Sequence, residues 1–163
     1  MLHIRRAEPT DWPAIWAMLE PVFRAGETYA VDRDITQHAA QVMWMDAPVE
    51  SYVATDGDIL GTFYIKTNHH GGGSHVCNCG YVVGVDAQGQ GVAAQMCAAS
   101  QTQARAQGYR AMQFNFVLTT NTGAIRLWER AGFAEVGRLP GVFLHPLEGY
   151  VDALVMHKSL LES

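Results

Sequence analysis

The order of apolar and polar residues predicts short strands and amphipathic helices in the first half of the chain. Apolar–polar alternation predicts a strand over 2–7 and a hairpin over 50–68 that turns around the Asp-Gly pair at 56–57. Apolar residues at helical spacing predict a helix over 13–26, which opens with a proline and ends at a glycine. A second, shorter helix is predicted over 36–45.

Strands and helices alternate regularly in the second half. The predicted elements are a strand over 77–85, a helix over 89–107, a strand over 110–119, a helix over 121–131, and two final strands over 133–139 and 149–160. This β-α-β-α-β order predicts a mixed α/β (α+β) fold. Because no linker, repeat or low-complexity block interrupts it, we expect one domain over residues 1–163.

Composition narrows the function classes. Of the 163 residues, 48% are hydrophobic and 17% are charged, which is typical of a globular protein. The formal net charge of -5 argues against nucleic-acid binding, which normally requires a basic face. No apolar run approaches the roughly 18 residues of a membrane span, and the N-terminal segment lacks an apolar signal core. We therefore expect a cytoplasmic protein with neither a nucleic-acid nor a membrane partner.

The cysteines and a histidine-rich loop could suggest a metal site. Cys77 and Cys79 lie two residues apart on one predicted strand, so they share a face and a mutual disulfide is awkward. With no second cysteine pair the zinc signal is weak, and we expect free thiols at both positions and at Cys97. The histidines of "NHHGGGSH" (68–75) fit an ordinary glycine-rich hairpin loop better than a ligand set, so we expect no metal.

The segment "YVVGVDAQGQGVAAQM" (81–96) joins a predicted strand to a predicted helix through a glycine-rich turn. It is not a P-loop, because Gly91 is not followed by a Lys-Ser/Thr pair. The spacing Gly89-x-Gly91-x-x-Ala94 matches a dinucleotide fingerprint, but the acidic residue expected about 20 positions later is missing. Backbone N–H groups at such a helix start still suit a pyrophosphate, although the glycines could merely permit a tight turn.

Two motifs together resemble the GCN5-related N-acetyltransferase (GNAT) superfamily. The first is Gln88-x-x-Gly91-x-Ala93 after the predicted strand, and the second is "TNTGAIRLWERAGF" (120–133). The resemblance covers roughly residues 1–158. It implies a mixed central sheet of about seven strands, with strands four and five splayed, flanked by about four helices. It also implies acetyl-CoA as the cosubstrate.

The resemblance assigns the cofactor-binding residues. The backbone groups of Val83 and Val85 would pair with the pantetheine arm, as an added strand does. The pyrophosphate would be held by the amides of Gln88, Gly89, Gln90, Gly91, Val92 and Ala93. Asn121 would contact the cofactor near its pantetheine or thiol end, and its alternative role is an ordinary helix cap. Homodimers are frequent in this superfamily, so we expect a homodimer as one assembly.

Two departures from the common family pattern affect the chemistry. Trp128 stands where a tyrosine general acid is often found, and the indole cannot replace it. The predicted fourth strand, "CNCGYV" (77–82), carries no glutamate base. Asn78 and Asn115 instead interrupt otherwise apolar strands, and a buried amide requires matched hydrogen-bond partners. They serve either internal backbone bonding or a site for a small polar substrate.

A closer resemblance supports the second role. The segments "VCNCGYVV", "AMQFNFVLTTNTGAIRLW" and "GYVDALVM" resemble the fungal azetidine-2-carboxylate N-acetyltransferase type. This implies that Asn78 assists catalysis or orients the amine, and that Asn115 and the Phe116 amide hold the substrate carboxylate. Tyr81 would shape the pocket. We therefore expect transfer of acetyl to a small-molecule amine, with a protein or peptide N-acetyltransferase and a non-catalytic acyl-CoA-binding module as alternatives.

Two interpretations remain open for each of two further groups of residues: three side chains near the C-terminus and three tryptophans in the first two predicted helices. Asp152, with Tyr150 beside it, is either a general base acting through water or an ion-pair partner for an arginine. His145 lies in a predicted loop that either borders the acceptor pocket or is simply surface. The indoles of the first two helices, Trp12, Trp16 and Trp44, are expected to anchor the core and could also tune acceptor choice.

Overall fold

A seven-stranded mixed sheet forms the centre of the fold. The computed structural model describes residues 1–162, and the strands lie in the order β1-β2-β3-β4-β5-β7-β6. The elements are β1 (His3–Arg6), α1 (Trp12–Ala25), α2 (Gln37–Gln41), β2 (Glu50–Thr55), β3 (Ile59–Thr67), β4 (Val76–Val83), α3 (Val92–Ala106), β5 (Ala111–Leu118), α4 (Thr122–Arg130), β6 (Ala134–His145) and β7 (Gly149–Ser159). The predicted α/β fold is confirmed.

Strands β4 and β5 form the parallel pair of this sheet, and they separate soon after they meet. Their ladder contains only Val76 with Ala111 and Cys77 with Met112. Every other neighbouring pair is antiparallel and extends over at least four residue positions. The expected splay of strands four and five is therefore confirmed, and it leaves a gap in the middle of the sheet.

Each face of the sheet carries its own hydrophobic core. Along β3, Phe63 and Ile65 pack towards α3 and α4, whereas Thr62 and Tyr64 face α1 and α2, as strand alternation requires. The indoles of the first two predicted helices belong to the second core: Trp12 and Trp44 are buried in it and Trp16 packs against it. Trp44 lies in a π-helical turn, Val42–Asp46, that follows α2 directly. The expected role of these indoles as core anchors is confirmed.

Two predicted boundaries around the glycine turn were wrong. The fourth strand ends at Val83 rather than at 85, and Val85 lies in a single 3₁₀ turn with 75% of its surface exposed. Helix α3 begins at Val92 rather than at 89, because Gly89 and Gly91 both adopt the left-handed conformation (φ +78°). A right-handed helix cannot pass through such residues.

The prediction that His145 lies in a loop was also wrong. Strand β6 continues to His145 instead of ending at 139, because its ladder with β7 is interrupted after Leu139 but resumes at Phe143. The His145 side chain is buried, and its Nδ1 accepts hydrogen bonds from the backbone N–H groups of Leu147 and Glu148 (3.1 and 3.2 Å). The imidazole thus closes the β6–β7 turn, and it does not line the cleft between β4 and β5.

The three cysteines are free and buried, as expected. Burial raises the pKa of the Cys79 and Cys97 thiols, which keeps both groups neutral. Residues 71–73 of the histidine-rich loop form a 3₁₀ turn. Within residues 1–162, no group of three histidine, cysteine, aspartate or glutamate side chains is placed to hold a metal ion, and no helix has the length and apolarity needed to cross a bilayer.

Candidate active site

The gap between β4 and β5 is the mouth of a cleft of about 670 Å³. Strands β3, β4 and β5, the loop after α1, and the starts of α3 and α4 contribute its walls. Eight residues assigned from the sequence line it: Asn78, Tyr81, Val83, Gln88, Ala93, Asn115, Phe116 and Asn121. The remaining five, Val85, Gly89, Gln90, Gly91 and Val92, lie in or beside the turn before α3 and do not line the cleft themselves.

One edge of β4 faces the gap with its backbone groups. Gly84 N donates to Leu60 O and Asn68 N donates to Val76 O, so the even-numbered residues of β4 bond to β3. The odd-numbered residues from Cys79 to Val83 therefore direct their N–H and C=O groups towards β5, beyond the point where β4 and β5 pair. This edge can accept an extended ligand as an added strand.

A tyrosine from the loop after α1 occupies part of this edge. The Tyr29 hydroxyl accepts a hydrogen bond from Tyr81 N and donates one to Tyr81 O, both at 2.9 Å. The Val83 backbone is not engaged by Tyr29. Tyr29 was not predicted from the sequence, because a tyrosine in the polar segment "GETYAV" carries no periodic signal.

The start of α3 has no side-chain cap and has open space beside it. Its N-cap, Gly91, has no side chain to accept hydrogen bonds from the first turn, and the first turn contains no acidic residue. A Cβ placed on Gly89 or Gly91 would meet nothing within 4 Å, so the space beside both is open. Helix starts leave N–H groups unsatisfied and carry partial positive charge. These residues therefore fit a pyrophosphate.

The start of α4 is completed differently. Asn121 is its N-cap, and the side-chain Oδ1 accepts a hydrogen bond from Ala124 N (3.3 Å). Asn121 thus acts as a helix cap, which was the alternative role predicted for it. The same side chain lines the cleft, and its Nδ2 group is not used by the cap.

Asn78 and Asn115 belong to the α1–α2 side of the sheet. Asn78 is paired with Lys66 in the β3–β4 ladder, on the face that also carries Tyr64. Asn115 Nδ2 donates to Asn68 Oδ1 (2.6 Å), and Asn68 Nδ2 donates back to Asn115 Oδ1 (3.2 Å). Gln113 Nε2 adds a second donor to Asn115 Oδ1 (3.0 Å). Internal bonding holds Asn115, yet one of its two amide hydrogens has no partner among these groups.

Three of the four asparagines of the chain line the cleft, and the fourth, Asn68, is hydrogen-bonded to one of them, Asn115. Asn68 was missed because it follows β3 in a polar loop, where asparagine is ordinary. Nothing in the local pattern shows that its side chain reaches β5.

A β-bulge places Asn115 and Phe116 against the gap. In the β5–β7 ladder Phe114 pairs with Met156 and Val117 with Leu154, so two residues of β5 face the single residue between those partners. Neither Asn115 nor Phe116 has a ladder partner. Bulges redirect side chains and free backbone groups, which makes this position suited to binding.

Comparison with known proteins identifies the architecture. The Acetyltransferase (GNAT) family model matches residues 12–133. The chain is 34% identical over 153 residues to N-acetyltransferase aca1 of Schizosaccharomyces pombe, covering 80% of this chain and 71% of that protein. The chain belongs to the GNAT acetyltransferase family. It is an acetyl-CoA-dependent N-acetyltransferase.

Solved GNAT structures agree with this assignment. A GCN5-related N-acetyltransferase from Kribbella flavida superposes with a TM-score of 0.92 at 40% identity and covers 97% of both chains. The yncA protein of Salmonella typhimurium, determined with its cofactor acetyl-CoA, has the same fold with a TM-score of 0.85 at 19% identity, covering 100% of this chain and 96% of its own. Acetyl-CoA is thus the cosubstrate of GNAT relatives with this architecture.

In this GNAT enzyme, the position often held by a tyrosine acid has a packing role. The Trp128 ring lies 5.0 Å from that of Tyr81 and 4.8 Å from that of Phe114. The Tyr81 hydroxyl forms a 2.6 Å hydrogen bond with Ser100 Oγ. Burial raises the pKa of Tyr81, and it raises that of Tyr64 to about 12, so both phenols stay protonated at neutral pH.

The GNAT cleft is almost uncharged. Among the described residues that line it, Lys66 is the only charged side chain, and no carboxylate or histidine is present. Asp152 is not a base in this cleft: Arg138 Nε binds its Oδ2 at 2.7 Å and Gly141 N donates to its Oδ1 at 2.8 Å. The Gly141 hydrogen bond, and then the guanidinium, lower the pKa of Asp152. The ion-pair interpretation is the one that the structure supports.

Proposed function

We propose that this enzyme transfers acetyl from acetyl-CoA to the amine of a small amino or imino acid, such as azetidine-2-carboxylate. The observation that carries the proposal is the presence of Asn78 and Asn115 in one narrow, nearly neutral cleft beside the splayed strands. The segments that carry these asparagines resemble the fungal azetidine-2-carboxylate N-acetyltransferase type, and this resemblance supports the proposal.

The proposed division of labour follows the cleft. The first turn of α3 and the Val83 edge of β4 hold the cosubstrate, which supplies the thioester when bound. The unpaired amide hydrogen of Asn115 and the bulged Phe116 backbone bind the carboxylate of the acceptor, and Tyr81 forms part of the pocket wall. Asn78 orients the amine and steadies the negative charge that develops on the thioester oxygen.

Transfer forms a C–N bond and breaks the C–S bond. The amine must be neutral to attack, and it loses a proton that the departing thiolate gains. Because no carboxylate or histidine lines the described cleft, we propose that water carries this proton. The asparagines then act by position and polarity rather than by acid–base exchange.

The experiment is release of CoA from acetyl-CoA, measured with azetidine-2-carboxylate, proline, common amino acids, polyamines and a peptide. Asn78→Ala should lower kcat about 100-fold, since one lost donor to a developing oxyanion costs about 3 kcal/mol. Asn115→Ala should instead raise the KM for the acceptor about tenfold, since it removes one hydrogen bond to the acceptor carboxylate. Their affinity for CoA should stay within about twofold of the wild type. Gln103→Ala, which removes an exposed amide from α3, is the matched control.

Other outcomes would replace the proposal. Turnover on the peptide alone would make the enzyme a protein N-acetyltransferase. CoA binding without any turnover would point to an acyl-CoA-binding module. Equal activity of Asn115→Ala and Gln103→Ala would remove Asn115 from the reaction.

We also propose that the enzyme forms homodimers. Strand β6 is an edge of the sheet and exposes Val136, Val142 and Leu144. Exposed apolar side chains on an edge strand favour pairing with another chain. Light scattering should give twice the monomer mass, and Leu144→Glu should lower the measured mass towards that of the monomer.

A further inference from the structure

Lys66 is the only charged residue among the described residues that line the cleft. It lies near the end of β3, opposite Asn78 in the β3–β4 ladder. Directly opposite side chains of an antiparallel pair have Cβ atoms about 5 Å apart. The Lys66 ammonium stands 5.9 Å from the centre of the Tyr64 ring, and that ring also lines the cleft.

Among residues 1–162, the Lys66 charge has no counter-ion within 4 Å. The four ion pairs within residues 1–162 join other side chains: Arg5–Asp11, Arg6–Glu50, Arg24–Glu20 and Arg138–Asp152. The chain has only one other lysine, Lys158, and its ammonium is bound to Gln101 Oε1 (2.6 Å) and Ala131 O (2.7 Å). Lys158 is thus a structural donor, whereas Lys66 presents a positive charge to the cleft.

Hydrogen bonds between two asparagines connect the end of β3, where Lys66 lies, to Asn115 on β5. Asn68 follows Lys66 by two residues, and its N–H donates to Val76 O, which continues the β3–β4 hydrogen bonding past the end of β3 and places both side chains on the same face. Asn68 is hydrogen-bonded to Asn115 in both directions (2.6 and 3.2 Å). Lys66, Asn78 and Asn115 therefore surround one small region of the α1–α2 side of the cleft.

A single unpaired cation in a neutral cleft discriminates between amines. It attracts an acceptor that carries an anionic group and repels one that carries a second ammonium.

We infer that Lys66 binds the carboxylate of the acceptor and thereby determines the specificity of the enzyme for amino acids over uncharged amines and polyamines. The inference rests on the proposed function and adds a residue to it. Lys66 contributes the charge, and Asn115 with the Phe116 backbone contributes further hydrogen bonds, since a carboxylate can accept about four.

The test compares acceptor pairs that differ only in charge. Azetidine-2-carboxylate, proline and glycine are assayed beside the corresponding carboxamides, with the wild type, Lys66→Gln and Lys66→Arg. We expect Lys66→Gln to raise KM for the acids at least about tenfold, the worth of one charge-assisted hydrogen bond. The KM for the carboxamides and the kcat for all acceptors should change less than about twofold. Lys66→Arg should restore most of the acid KM.

A matched control removes a positive charge elsewhere. Arg110→Gln deletes an exposed arginine that does not line the cleft, and it should leave every KM unchanged. Lys66→Glu should reverse the preference and favour a diamine over an amino acid.

The outcomes separate this inference from the proposed function. If the wild type acetylates acids and carboxamides equally well, or if Lys66→Gln raises both KM values together, Lys66 does not select the carboxylate, although small-amine acetylation stands. If no acceptor in the panel is acetylated while CoA still binds, the proposed function fails and the role of Lys66 fails with it.

Discussion

Helices α3 and α4 both begin at the cleft, but their first turns are completed in different ways. The α4 start carries Asn121, which uses its own Oδ1 to accept the hydrogen bond of Ala124 N. The α3 start carries Gly91, which has no side chain and lies in the left-handed conformation. One N–H of the α4 turn is thus satisfied by a side chain of the protein, whereas the α3 turn has no side-chain cap and leaves its N–H groups open to a ligand.

This difference explains why the glycine before α3 is stronger evidence for a bound cosubstrate than the asparagine before α4. An asparagine before a helix is common and has a sufficient structural purpose as a cap. A glycine N-cap with open space around it sacrifices that stabilisation, and an anion can supply it instead. The sharper evidence for a cosubstrate pyrophosphate therefore lies at α3, and the contrast can be tested at both helices.

The largest expected effect follows from replacing Gly91. Gly91→Val places a side chain in the open space beside the α3 start and strains the left-handed backbone. We expect CoA affinity to fall about 100-fold or more, because at least two charge-assisted hydrogen bonds are lost. Isothermal titration calorimetry with CoA measures the change directly.

The other end of the same helix supplies the control. Gly108 follows α3, is also left-handed (φ +90°), and a Cβ there would likewise meet nothing within 4 Å. Gly108→Val should cause a similar loss of stability, about 1 to 3 kcal/mol, from backbone strain alone. Its CoA affinity should match that of the wild type. Equal loss of CoA binding in both variants would mean that strain, and not the anion site, accounts for the Gly91 effect.

A smaller ligand sharpens the comparison. S-acetylpantetheine has the thioester and the arm that would lie along Val83, but it lacks the pyrophosphate. Gly91→Val should therefore change its KM less than about threefold, in contrast to the loss for acetyl-CoA. Steady-state kinetics with both acetyl donors measures how much of the Gly91→Val effect depends on the pyrophosphate of the donor. An equally large loss with S-acetylpantetheine would show that the α3 start serves some other part of the cosubstrate.

The fold and the glycine turn that we propose holds the cosubstrate could be predicted because both depend on local sequence signals. Hydrophobic periodicity predicts the strands and helices, and a glycine pattern at a helix start has few physical uses. The errors were local as well. The alternating pattern continues to Val85, but the chain leaves the sheet after Val83, and the β6 ladder resumes beyond the interruption at 139.

The part of the cleft that we propose binds the acceptor was less predictable, because its geometry depends on long-range contacts. Asn68 reaches Asn115 across 47 positions of sequence, and the Tyr29 hydroxyl reaches the Tyr81 backbone across 52. Lys66 sits on a strand at an exposed position, where a lysine is ordinary. Only the pairing of β3 with β4, and the splay beyond it, shows that these residues share a cleft.

The smallest expected effect concerns the α4 start, where capping and ligand contact must be separated. Asn121→Ala removes the hydrogen bond to Ala124 N and should lower the free energy of unfolding by about 1 kcal/mol. Asn121→Ser keeps a capping oxygen and should restore that stability, but it lacks the amide donor. If Asn121 contacts the cosubstrate, both variants should raise KM for acetyl-CoA about threefold to tenfold, the worth of one hydrogen bond. Chemical denaturation measures the first quantity and initial rates the second. Recovery of both stability and KM in Asn121→Ser would reduce Asn121 to a cap, and α3 would then be the only one of the two helix starts that binds the cosubstrate.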